Sequence, residues 1–96
     1  MFTGQQIVQA FTSLGVTHVV WLPDSTLGTW DAAISAEPSL QMVRVCREGE
    51  AWAAAVGLHI GGARPLVVMQ STGLFESGDS LRNALYDLKL PLRALI

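Results

Sequence analysis

Two carboxylates, Glu48 and Glu50, stand just after a strand-like run and open an alanine-rich helical stretch, Arg47-Glu48-Gly49-Glu50-Ala51-Trp52-Ala53-Ala54-Ala55-Val56-Gly57-Leu58. An acid at such a start either complements the positive end of the helix dipole or is held there to meet a ligand. Arg47 beside them is a solvated charge or an anion ligand, since a guanidinium offers a planar fork of donors. Two other polar tracts follow strand-like runs: Pro23-Asp24-Ser25 and Gln70-Ser71-Thr72-Gly73. Ser25 and Ser71 lack the GxSxG surroundings of a nucleophile elbow, and no histidine is placed by sequence beside a nucleophile. His18 and His59 read as packing or surface residues, and Trp21, Trp30 and Trp52 as core or interface anchors. No GxGxxG follows the first strand and no GxxxxGK[ST] occurs, so the chain shows neither a dinucleotide fingerprint nor a P-loop.

The elements that must position these residues are legible from periodicity. Thr3-Gly4-Gln5-Gln6 fits a capping box, and Ile7, Ala10, Phe11 and Leu14 recur at helical spacing until Gly15. His18 to Leu22 is a buried strand ended by Pro23. Asp24, Ser25 and Thr26 can cap a helix from Leu27 to Ser35, and Met42 to Cys46 is the second strand. A helix then runs from Glu48 to the Gly61-Gly62 pair, where glycine permits the closing left-handed turn. Leu66 to Met69 is the third strand, Gln70-Ser71-Thr72-Gly73 a polar turn, Ser77 to Leu88 a helix, and Leu92 to Ile96 a fourth apolar run.

Short apolar strands alternating with helices predict an α/β fold, a three-layer α/β/α arrangement around a parallel sheet. Ligands of such sheets gather at the carboxyl ends of the strands, where the loops at 23–25, 47–50 and 70–73 converge. The chain stops inside the fourth strand-like run without a closing helix, so residues 1–96 read as one domain that is incomplete at its C-terminus.

Composition narrows the function classes. Half of the 96 residues are hydrophobic and 15% are charged, too apolar for a disordered tail, and a net charge of -2 gives no field for a nucleic-acid backbone. The single Cys46 cannot form an internal disulfide and suits a reducing cytoplasm. There is no signal-peptide pattern, and no apolar run approaches the roughly 20 residues of a membrane span.

Gly15-Val16-Thr17-His18-Val19-Val20-Trp21-Leu22-Pro23-Asp24-Ser25, followed by Arg47-Glu48-Gly49-Glu50-Ala51 with Gly57, resembles the pyrimidine-binding domain of thiamine-diphosphate-dependent enzymes. With Met69-Gln70-Ser71-Thr72-Gly73 the chain is most similar to phosphonopyruvate and sulfopyruvate decarboxylases, the latter through their alpha-type subunit. The resemblance covers nearly the whole chain, with its three motifs in order at three strand ends.

The resemblance implies the thiamine-diphosphate-binding fold and a decarboxylase acting on a small anionic 2-oxo acid. It implies that Glu48 is the catalytic and cofactor-binding glutamate, hydrogen-bonded to N1′ of the aminopyrimidine so that N4′ can deprotonate thiazolium C2; Glu50 is then structural. A carboxylate suits that task because it can share a proton with a ring nitrogen. Pro23, Gln70, Ser71, Thr72 and Gly73 are the further cofactor-binding positions, Gly73 allowing close backbone approach. Ser25 and Arg47 are the substrate-binding positions, Ser25 doubling as a helix cap and Arg47 replacing the histidine of many relatives in a way that suits a sulfonate or phosphonate. The family's Gly-Asp-Gly pattern for diphosphate and Mg2+ is absent, so a partner beta-type subunit or domain is expected to hold both, in a hetero-oligomer. Two other readings stay open: an acetohydroxyacid synthase-like carboligase subunit, and a non-catalytic interaction subunit or decayed fragment.

Overall fold

The computed structural model describes residues 2–22 and 27–96. Four parallel strands, β1 (His18–Trp21), β2 (Gln41–Arg44), β3 (Pro65–Val68) and β4 (Arg93–Leu95), form one sheet in the order β2-β1-β3-β4. In register, Trp21 lies beside Arg44 on one side and Val68 on the other, and Val68 beside Leu95. Helices α1 (Gly4–Ser13), α2 (Asp31–Ala36), α3 (Glu48–Ile60), α4 (Ser71–Glu76) and α5 (Gly78–Leu81) surround it.

Alternation along the strands feeds two cores. Val19 and Trp21 of β1 and Leu66 and Val68 of β3 join Ile7 and Phe11 of α1 and Ile34 of α2. Val20, Val67 and Met69 face the other way, onto Ala51, Trp52 and Ala55 of α3 and onto Ala84. A central parallel strand buried on both faces must be apolar at every position, as the four residues of β3 are. The edge strands escape that demand. β2 is only half-buried at Met42 and Val43, and β4 is exposed throughout. The expected second strand therefore ends two residues early, at Arg44, and Cys46 is exposed beyond it.

The capping box of α1 forms as its residues require: Gln6 N–H donates to Thr3 Oγ1 at 3.2 Å, and Thr3 N–H to Gln6 Oε1 at 2.9 Å. The expected helix from Leu27 opens as a 3₁₀ turn over Leu27–Trp30 before α2. Gly62, with φ +94°, closes the loop after α3.

Two expectations fail near the third strand. Residues 70–73 are not a turn but the start of α4, since the Gln70 carbonyl accepts from the backbone N–H of both Gly73 (3.0 Å) and Leu74 (3.2 Å). The expected helix from Ser77 to Leu88 is likewise not one regular helix. α5 gives way to a π-helical segment over Arg82–Asp87. The wider turn sets side chains five apart over one another, and Arg82 pairs with Asp87 at that spacing.

The chain leaves β1 through α2 on one face of the sheet, whereas α3, α5 and Ala84 cover the other. The helices that follow β1 and β3 thus lie on opposite faces of the sheet, the kind of switch point at which ligands of such sheets bind. Among the described residues no helix is long and apolar enough to cross a membrane.

Candidate active site

Glu48 is the first residue of α3, with Arg47 as its extended N-cap. Its acid suits the positive end of the helix. The side chain is half-buried and lies across the backbone of α4: a Cβ built on Gly73 would sit 2.5 Å from Glu48 Cγ, 2.9 Å from Oε1 and 3.0 Å from Cδ. Gly73 is buried and leaves the space this carboxylate occupies. Among the described residues the Glu48 carboxylate has neither a hydrogen-bond nor an ion-pair partner. A half-buried acid without such a partner among the described residues is suited to meet a donor from outside the chain.

Glu50 points elsewhere. Two residues along a helix turn a side chain to nearly the opposite face, and Glu50 is exposed on an open cleft of about 420 Å³ with Arg47, Glu76 and Asp79. The structure therefore separates the two acids, one against Gly73 and one on the cleft.

Arg47 is exposed and paired with Glu76 of α4, Nη2 donating to Oε1 at 3.0 Å. That hydrogen bond and the carboxylate charge raise its pKa above the usual arginine value, so it is cationic at any working pH. The pair joins the start of α3 to the end of α4. Gln70, Ser71 and Thr72 are exposed at the start of α4, and none of their side chains has a hydrogen-bond partner among the described residues. Glu48 and the 70–73 segment meet through Gly73, while Arg47 is drawn away to Glu76. Pro23 and Ser25 lie outside the described residues.

One supporting pair escaped the sequence reading. The Trp52 indole N–H donates to Ser77 Oγ at 2.9 Å, and that hydroxyl donates to the Leu74 carbonyl at 2.9 Å. Both side chains are buried at 2% exposure, so this bridge ties α3 to the end of α4 beneath the Glu48–Gly73 contact. The available signal was Trp52 itself, because a buried indole N–H demands an acceptor. Gly49 adds to the close approach, with Ser80 Oγ 3.3 Å from where its Cβ would be. Among the described residues no group of three or more His, Cys, Asp or Glu gathers to hold a metal ion.

Comparison with known proteins gives a family profile described as thiamine pyrophosphate enzyme, N-terminal TPP binding domain, which matches residues 1–92. The chain is 31% identical over 91 residues to a phosphonopyruvate decarboxylase of Streptomyces viridochromogenes, a match covering 95% of this chain and 23% of that protein. It is 27% identical over 95 residues to the sulfopyruvate decarboxylase subunit alpha of Methanothermobacter thermautotrophicus, covering 98% of this chain and 57% of that one. The corresponding subunit of Methanococcus maripaludis is 25% identical over 96 residues, all of this chain and 58% of the relative. The chain thus spans less than two thirds of the length of each.

Proposed function

The chain belongs to the thiamine pyrophosphate enzyme family as its N-terminal TPP binding domain, and from that premise we propose that it is the pyrimidine-binding part of a thiamine-diphosphate-dependent decarboxylase. The substrate is a small anionic 2-oxo acid of the sulfopyruvate or phosphonopyruvate kind. The names of the relatives support that choice. The carrying observation is the half-buried Glu48 carboxylate, held over Gly73 and without a hydrogen-bond partner among the described residues.

These residues fit an aminopyrimidine ring, because an orphan carboxylate in a partly dry site gains most from a ring nitrogen that can share its proton. When bound, thiamine diphosphate supplies the electron sink that loss of carbon dioxide from a 2-oxo acid requires. Glu48 holds the shared proton at its carboxylate oxygen and fixes the tilt of the ring. Gly73 leaves that carboxylate its room, and Gln70, Ser71 and Thr72 present polar groups at the same strand end. Pro23 lines the ring and Ser25 the substrate carboxylate, by the family pattern. Arg47 meets the sulfonate or phosphonate, exchanging Glu76 for the substrate anion. The diphosphate and Mg2+ are held by a beta-type subunit or domain; a hetero-oligomer accords with relatives named as subunit alpha.

The test is Glu48→Gln in the assembled enzyme. Glutamine keeps the size but cannot take up a proton, so turnover falls by about 10²–10⁴-fold, the usual worth of a positioned acid or base. Glu50→Gln leaves turnover nearly unchanged. Ordinary turnover in Glu48→Gln refutes the assignment, and a loss confined to Glu50→Gln moves the role to that residue.

A further inference from the structure

At the sheet edge opposite Glu48, where β3 and β4 begin, an open cleft of about 400 Å³ is lined by His59, Gly62, Arg64, Pro65, Pro91 and Arg93. We propose that this cleft binds a small molecule bearing a tetrahedral oxyanion, a phosphate, phosphonate or sulfonate, with Arg64 and Arg93 as its principal ligands and His59 as a further donor.

The first argument is charge. Among the described arginines, Arg44, Arg47 and Arg82 are each paired with a carboxylate. Arg64 and Arg93 have no such partner, both line this cleft, and no Asp or Glu lines it with them. The second is convergence. Arg93 Nη2 reaches the Leu14 carbonyl at 3.4 Å, and the Arg64 guanidinium lies against the next residue, its Nη1 3.1 Å from where a Cβ on Gly15 would be. Two cations are thus brought to one turn, and among the described residues no carboxylate pairs with either. The carbonyl end of α1 offsets them only in part, since a helix terminus carries about half a charge and Arg93 spends a single long hydrogen bond there.

The third argument is preorganisation. Arg64 is fixed through its main chain, its N–H donating to Thr17 Oγ1 at 2.8 Å and its carbonyl accepting from Thr17 N–H at 3.0 Å. Its guanidinium, by contrast, has no hydrogen-bond partner among the described residues. Pro65 and Pro91 give the cleft stiff walls, and its volume suits a small molecule. The forked donors of a guanidinium match the paired oxygens of a phosphate, phosphonate or sulfonate.

The experiment is an NMR titration of the ¹⁵N-labelled chain with inorganic pyrophosphate at constant ionic strength, with inorganic phosphate and methanesulfonate as separate arms to rank the oxyanions. Saturable shifts are expected at the amides of Gly62, Ala63, Arg64 and Arg93, with Kd raised at least about tenfold in Arg64→Gln/Arg93→Gln, the loss of one charge-assisted hydrogen bond. The single variants stand in should the double variant lose its native amide spectrum, and Arg82→Gln, away from the cleft, leaves Kd unchanged. Shifts that fail to saturate, that survive both substitutions, or that centre on Arg47 overturn the proposal. The readout needs no thiamine diphosphate, so it stands or falls apart from the decarboxylase reading.

Discussion

Replacing Gly73 with alanine tests the contact on which the placement of Glu48 rests. The new methyl group would stand 2.5 Å from Glu48 Cγ and 2.9 Å from Oε1. Carbon atoms pack best at about 3.5–4.0 Å, so the two elements must part by about 1 Å or the glutamate must leave its rotamer. Two terms of opposite sign then compete in stability. Alanine inside a helix gains about 1 kcal/mol over glycine, while overpacking costs about 1–3 kcal/mol. With Glu48 present the net change is a loss of up to about 2 kcal/mol. With Glu48→Ala the obstacle is gone, and the propensity gain of about 1 kcal/mol remains.

The difference between those backgrounds is a coupling of about 1–3 kcal/mol, measurable by a double-mutant cycle on urea unfolding of the chain. In thermal unfolding each 1 kcal/mol is worth about 4–8 °C for a domain of this size. Equal effects of Gly73→Ala in both backgrounds would mean that Glu48 does not lie over Gly73, and the proposed site would lose its geometry. In the assembled enzyme the same substitution lowers turnover by about a hundredfold, the effect of displacing a catalytic group by about 1 Å. A stable Gly73→Ala variant with ordinary turnover would refute the reasoning.

Other outcomes follow from the surrounding contacts. Ser77→Ala strands the buried indole N–H of Trp52 and costs about 1–3 kcal/mol in urea unfolding; in a Trp52→Phe background the same change costs markedly less. Thr3→Ala removes one half of the capping box of α1 and costs about 1 kcal/mol, read as a lower unfolding midpoint with unchanged m. Glu76→Gln frees Arg47, leaves the unfolding midpoint where it was, and lowers KM for the anionic oxo acid while kcat holds; a raised KM would show that the ion pair positions Arg47 for substrate.

Sequence periodicity carried most of the fold because the central strands have no freedom. β1 and β3 are flanked by strands and faced by helices on both sides, so apart from His18 at the start of β1 their residues are apolar, and the runs at 18–22 and 66–69 read as strands. Edge strands lack that constraint. Exposed Arg44 and Arg93 and the half-buried residues of β2 have no burial pattern to fix their limits, so β2 ends at Arg44 although the apolar run continues to Cys46. The segment 70–73 misled for a different reason. Serine, threonine and glycine favour turns locally, yet here the Gln70 carbonyl starts a helix, and glycine is required inside it by a side chain from another element.

That last point also explains what the motif could and could not convey about the site. Glu48 and Gly73 are remote in sequence, and each alone has an ordinary explanation: an acid for a helix dipole, a glycine for a turn. Only tertiary contact shows that they are one feature, with the glycine vacating the volume the carboxylate fills. The Trp52–Ser77 hydrogen bond beneath them holds α3 and α4 at the distance this contact needs. A helix-start acid that merely served the dipole would gain from pointing into solvent, as Glu50 does. Glu48 instead lies half-buried against Gly73 without a hydrogen-bond partner among the described residues, and on the proposed reading a donor from outside the chain supplies that bond.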